Sequence, residues 1–184
     1  MEFISQLERT VQGWLKAVPH LPEGARKWLG DNIWWIAAIG AVLTGIGVLG
    51  IFVTLLSNVA TLGSPILSYY ASTTFIMWVI VKASITLAFA ILECVLLALA
   101  VSPLKQKQKK GWVLLFAVLL LGVLSVVVSS ILTFSVFGFI VNIIFGALWL
   151  AVSAYFLFEI HGQFAHVERS KGVKKKSVSR SAKK

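Results

Sequence analysis

Lys82 and Glu93 are the two charges that lie well inside apolar sequence. Both belong to one stretch, residues 72–102, STTFIMWVIVKASITLAFAILECVLLALAVS. A spacing of eleven puts them on one face of a helix but separates them by about 16 Å along its axis, so they cannot pair directly on one straight helix. Helical side chains lean toward the N-terminus. Lys82 follows Trp78 by one turn, and its long stem can lift the ammonium to an interface. Glu93 leans away from the nearer end of its helix, toward the middle, at a depth of about 13 Å. An acid at the centre of a membrane helix costs roughly 2.5–3.5 kcal/mol. Its carboxyl is therefore expected to be protonated or held by a partner. The functional readings are proton or ion coupling and the binding of a partner subunit. The structural reading is a bond to a backbone carbonyl or to Thr44, which counts to a similar depth. Asn142 falls near the level of Lys82, where an interhelical hydrogen bond worth about 0.6–2 kcal/mol is expected. Glu93, Lys82, Asn142 and Thr44 are the candidate intramembrane polar site.

Little else points to chemistry. Cys94 is the single cysteine, which rules out an internal disulfide and any CxxC motif. His161 and His166 are five apart rather than the four that align two ligands on one helix face, and His20 stands alone. No Ser/His/Asp set, phosphate loop or pair of catalytic carboxylates is present. Neither an enzyme nor a metal or cofactor is expected.

The elements that must carry these residues are apolar. Of 184 residues, 58% are hydrophobic and 13% charged, and mean hydropathy is +0.89. Charge is about half the usual share of a soluble domain, and several apolar runs exceed 18 residues, so the chain reads as an all-α integral membrane protein. Met1-Glu2-Phe3 opens neither a basic start nor an early apolar run, and no secretory signal is expected. Phe3, Ile4, Leu7, Val11, Trp14, Leu15 and Val18 follow helical spacing and form one stripe, ended by Pro19 and Pro22. Residues 1–31 are thus read as an amphipathic interfacial segment. The membrane domain is 32–161, with Asp31-Asn32 as a candidate cap and spans at about 33–56, 72–102, 111–132 and 138–160. Residues 57–71 form an uncharged loop broken by Gly63 and Pro65. Residues 133–137 make a tight hairpin between the last two spans.

Small residues mark where helices approach. Ala37, Ala41 and Gly45 recur every four residues in span one, as do Gly138, Asn142 and Gly146 in span four. Gly122 of span three, like Gly45 of span one, counts to nearly the depth of Glu93.

Sixteen of the seventeen Lys and Arg residues sit in three places: four before Ile33, four at 105–110 and eight from Arg169 onward. The positive-inside rule then puts both termini and the central loop in the cytoplasm of a plasma (inner) membrane. The tail 162–184 is basic, is expected to be disordered, and can bind anionic lipid through Lys171, Lys174, Lys175, Lys176, Arg180, Lys183 and Lys184. No aromatic residue interleaves with those charges, so nucleic acid is not expected as a partner. The fold expectation is a four-transmembrane-helix bundle with an interfacial N-terminal helix and a basic tail. Few polar groups in the membrane and a basic cytoplasmic face favour a non-enzymatic scaffold, accessory subunit or envelope-organising protein, with a partner subunit or homo-oligomer. The alternative is a small oligomeric transporter or channel using Glu93.

Overall fold

The computed structural model describes residues 19–62, 64, 72–133 and 135–164, together with Gln6, Thr10 and Gly13. The amphipathic stripe of residues 3–18 and the basic tail lie outside the described residues, apart from helical backbone at Gln6, Thr10 and Gly13. Four helices carry the fold: α1 (Glu23–Leu62), α2 (Thr73–Lys105), α3 (Lys109–Ile131) and α4 (Val136–Glu159). All four are long and apolar enough to cross a membrane, and no strand occurs among the described residues.

The helix ends follow from local chemistry. Pro22 precedes α1, where its missing N–H costs nothing, and Glu23 complements the positive end of the helix dipole. Ser72 caps α2 by accepting from the Phe75 N–H, and Ser135 caps α4 by accepting from the Gly138 N–H. Pro103 lies in the last turn of α2, and the chain then reverses through Lys107, whose φ of 51° is left-handed. Asp31 and Asn32 do not cap a helix. They lie inside α1, with Asn32 Nδ2 donating to the Trp28 carbonyl four residues back. Residues 23–31 are therefore the first turns of the long helix rather than part of a separate segment. At its other end α1 runs past position 56 to Leu62, and Thr54, Ser57, Asn58 and Thr61 fold their polar atoms onto its own carbonyls.

With 40 and 33 residues, α1 and α2 are about 60 and 50 Å long, against about 35 Å for α3 and α4. The longer pair therefore outreaches the shorter one. Extensive packing joins chain neighbours, α1 to α2, α2 to α3 and α3 to α4. Most of the buried residues collect at the end where α1 and α3 begin and α2 and α4 finish, here termed the base. They include Ile33 and Ala37 of α1, Ala100 and Leu104 of α2, Trp112 and Phe116 of α3, and Leu157 of α4, with Ile160 and Phe164 just beyond.

Trp112 is the hub of this core. It has no exposed surface, stacks on Phe116 at 5.4 Å, and meets Phe158 and His161 edge-on at 5.5 and 4.6 Å. Its Nε1 donates to the Leu157 carbonyl at 2.9 Å, so the polar atom of a buried indole is satisfied by a helix terminus that has carbonyls to spare.

Candidate functional site

Two of the carboxylates carried by the apolar helices, Glu159 and Glu93, have opposite settings. At the base, Glu159 closes α4 with its side chain 5% exposed. Its Oε1 lies 2.6 Å from His20 Nδ1, and its Oε2 accepts from the Leu21 N–H at 3.3 Å. The Arg26 guanidinium approaches the same oxygen, with Nε at 3.1 Å as an ion pair but outside hydrogen-bond alignment. Arg26 also donates to the Leu21 carbonyl. Around this carboxylate, Tyr155 donates its hydroxyl to the Pro19 carbonyl at 2.7 Å, and Gln163 donates to the Arg26 carbonyl at 2.6 Å. Gly30 leaves room for this contact, because a Cβ there would displace the Gln163 amide. Residues 19–21 are thus strapped across the end of α4. Lys107 from the α2–α3 turn pairs with Asp31, and the Lys105 ammonium sits 4.9 Å from the centre of the Trp34 ring.

Glu93 lies in the middle of α2, eleven residues from Lys82 and eleven from Leu104. It is half-buried, and it makes no hydrogen bond or ion pair among the described residues. In particular, no bond joins it to Thr44. Its neighbour Cys94 faces α1 instead, with Sγ 3.5 Å from the Ala41 carbonyl and against Gly45. Lys82 Nζ lies 5.6 Å from the Trp78 ring and 3.5 Å from Thr133 Oγ1, which sets it near the level of the α3–α4 turn. Asn142 Nδ2 donates to Ser130 Oγ at 2.9 Å, and that hydroxyl donates onward to the Val126 carbonyl at 2.7 Å. Glu93, Lys82, Asn142 and Thr44 therefore do not form one cluster. Lys82 and Asn142 are engaged at the far end of the bundle and Glu93 stands apart.

The small residues divide by what they touch. Ala37 is buried in the core. A Cβ on Gly146 would come within 2.6 Å of Val126, and one on Gly122 within 3.0 Å of Leu150, so both glycines set the α3–α4 distance. A Cβ on Gly138 would meet Thr133 of the preceding turn at 2.9 Å. Sequence reading missed Glu159, Arg26 and His20. The available signal was an acid on the last turn of an apolar span, a position that ordinarily disfavours negative charge.

Among the described residues no group of three or more His, Cys, Asp or Glu side chains gathers as metal ligands do. Comparison with protein-family models, with curated proteins and with solved structures finds no match. The class defined by the fold is an all-helical protein with four helices able to span a membrane.

Proposed function

We propose that this chain is a non-enzymatic integral membrane protein acting as a scaffold, accessory subunit or envelope-organising protein. The observation that carries the reading is the concentration of the core and its polar straps at the base. That end has aromatic packing, a carboxylate with three neighbours and a tied-down strap. The rest of α1 and α4 presents apolar side chains outward, among them Val42, Leu49, Phe145 and Trp149. A rigid platform with free helix surfaces suits holding partners. Positive charge flanks the base, so we place it, with both termini, in the cytoplasm of a plasma (inner) membrane. There the interfacial N-terminal segment and the basic tail meet anionic lipid.

Co-purification of the full chain from native membranes tests the reading. A stoichiometric membrane partner supports it, and a chain that purifies alone while carrying a solute flux in vesicles removes it. Orientation is checked separately with single cysteines in a Cys94→Ala background. Positions Ser64 and Ser135 should react with an impermeant maleimide from outside and Gln106 should not. A second reading, a small oligomeric transporter or channel, is favoured by Glu93 alone, which has no partner among the described residues. It predicts a pH-dependent flux that Glu93→Gln abolishes.

A further inference from the structure

The corner between α2 and α3 carries four lysines in six residues, Lys105, Lys107, Lys109 and Lys110. Its backbone is fixed by bonds of its own. The Gln106 N–H donates to the Ser102 carbonyl at 3.2 Å, that of Lys107 to Leu104 at 2.9 Å and that of Gln108 to Pro103 at 2.8 Å. Gly111 lets α3 start directly against the end of α2, because a Cβ there would stand 2.7 Å from the Leu104 backbone nitrogen. The lysines are thus displayed from a rigid corner. Lys107 is spent on Asp31. Lys109 and Lys110 meet no carboxylate among the described residues, and the first turn of α3 holds no acid to offset them. Across the base, Arg26, Lys27 and these four lysines outnumber Glu23, Asp31 and Glu159 two to one, and Glu159 is already held by His20 and Arg26.

We propose that this corner binds the phosphate of an anionic phospholipid of the cytoplasmic leaflet, with Lys109 and Lys110 as the contacting ammoniums and Lys105 beside them. The assignment rests on the placement of the base at the cytoplasmic face made above. Charge and depth support it. Two adjacent cations in the first turn of a helix oppose both each other and the helix dipole, so an anion from outside the chain relieves them. The Lys105 ammonium marks the depth. It sits 4.9 Å from the centre of the Trp34 ring, which lies 4.5 Å from that of Trp35. Trp35 is half-exposed, and tryptophans of this kind stand at the headgroup level of a bilayer. The corner is therefore at the phosphate layer.

A lipid also has chains to place. Next to Trp35 on α1, Ile36 and Ile39 are exposed and offer them apolar surface. Nucleic acid would add stacking on an aromatic ring, but the ring beside these lysines already has Lys105 over it and Trp35 against it. The corner differs from the basic tail in kind. A run of charge attracts anionic lipid in proportion to its number of cations, whereas a site on a fixed backbone depends on which cations are present.

The test places the full chain in nanodiscs of equimolar phosphatidylglycerol and phosphatidylcholine at about 0.15 M salt, where exposed charges more than about 8 Å apart are largely screened. Lipids retained on the released protein are weighed by native mass spectrometry. Phosphatidylglycerol should be retained at least about five-fold over phosphatidylcholine. Lys109→Gln with Lys110→Gln should remove most of that preference. Lys174→Gln with Lys175→Gln takes the same charge from the tail and should leave it intact. Thermal unfolding gives a second readout. In phosphatidylcholine alone the corner variant should unfold at the parent's temperature or above it, since two unfavourable charges are gone, and in phosphatidylglycerol below it. No preference in the parent overturns the proposal. Equal losses in the corner and tail variants also overturn it, because attraction would then follow total charge. Inorganic phosphate that stabilises the parent in phosphatidylcholine as much as phosphatidylglycerol does, through Lys109 and Lys110, would identify a soluble-anion site and overturn the lipid assignment. If the proposal fails while membrane partners still co-purify and the maleimide pattern holds, the scaffold reading and the placement of the base stand, and only this site is lost.

Discussion

Glu159 and Glu93 are the same side chain on apolar helices, and the protein treats them in opposite ways. Glu159 is nearly enclosed, and a guanidinium, an imidazole and a backbone N–H converge on it. Glu93 is less enclosed and is left without a partner among the described residues. The difference is one of position in the bundle. At the base four helix ends, a strap and a turn converge, so donors are available from distant parts of the chain. Halfway up α2 only regular helices pass, and their backbone donors are consumed by their own ladders. A charge at a helix end can recruit neighbours, whereas a charge in mid-helix depends on side chains alone.

That contrast can be broken most severely at the hub of the base. Trp112→Ala should destabilise by about 3–5 kcal/mol, because it leaves a large cavity between Phe116 and Phe158. Thermal unfolding in detergent should show a large fall in midpoint. Trp112→Phe, which preserves the stacking and removes the bond to Leu157, should cost only about 1 kcal/mol.

Glu159→Leu comes next. It strands the Arg26 guanidinium and the Leu21 N–H, and should cost about 1–3 kcal/mol, with Arg26 itself partly hydrated. Proteolysis near residues 19–21 should accelerate in that variant as the strap loosens. Unchanged stability and unchanged cleavage would mean that the strap does not hold the base.

A similar or smaller effect, about 1–3 kcal/mol, is expected for Gly146→Leu, which drives α4 away from Val126. Gly47→Leu is its control on the open side of α1, where a Cβ meets nothing within 4 Å. The control should unfold at the wild-type temperature.

The smallest effect sharpens the comparison. Glu93→Gln should leave the isolated chain's stability within about 0.5 kcal/mol, because it breaks no bond among the described residues, and Glu93→Leu should be neutral or stabilising. A loss of more than about 1 kcal/mol in Glu93→Gln would reveal an internal partner and erase the distinction between the two acids.

Much of this architecture was legible in the chain. Apolar runs longer than a soluble helix needs, separated by Pro103 and by short polar turns, dictate four membrane-length helices, because a backbone in hydrocarbon must satisfy itself. Gly146, four residues after Asn142 and eight after Gly138, could be read as a point of close approach, since a missing side chain is a local property. Capping was less legible. Asp31-Asn32 has the composition of an N-cap, yet α1 runs through it because Leu29, Ile33 and Ala37 gain more by packing on one continuous helix face. Tertiary structure alone decided which acid is satisfied. Glu159 has His20 and Arg26 more than 130 residues before it in the chain, and only the convergence of four helix ends brings them within bonding distance. Thr44, at the right depth for Glu93, makes no bond to it, because depth along a helix is set by sequence whereas the direction a side chain faces depends on which neighbour its helix packs against.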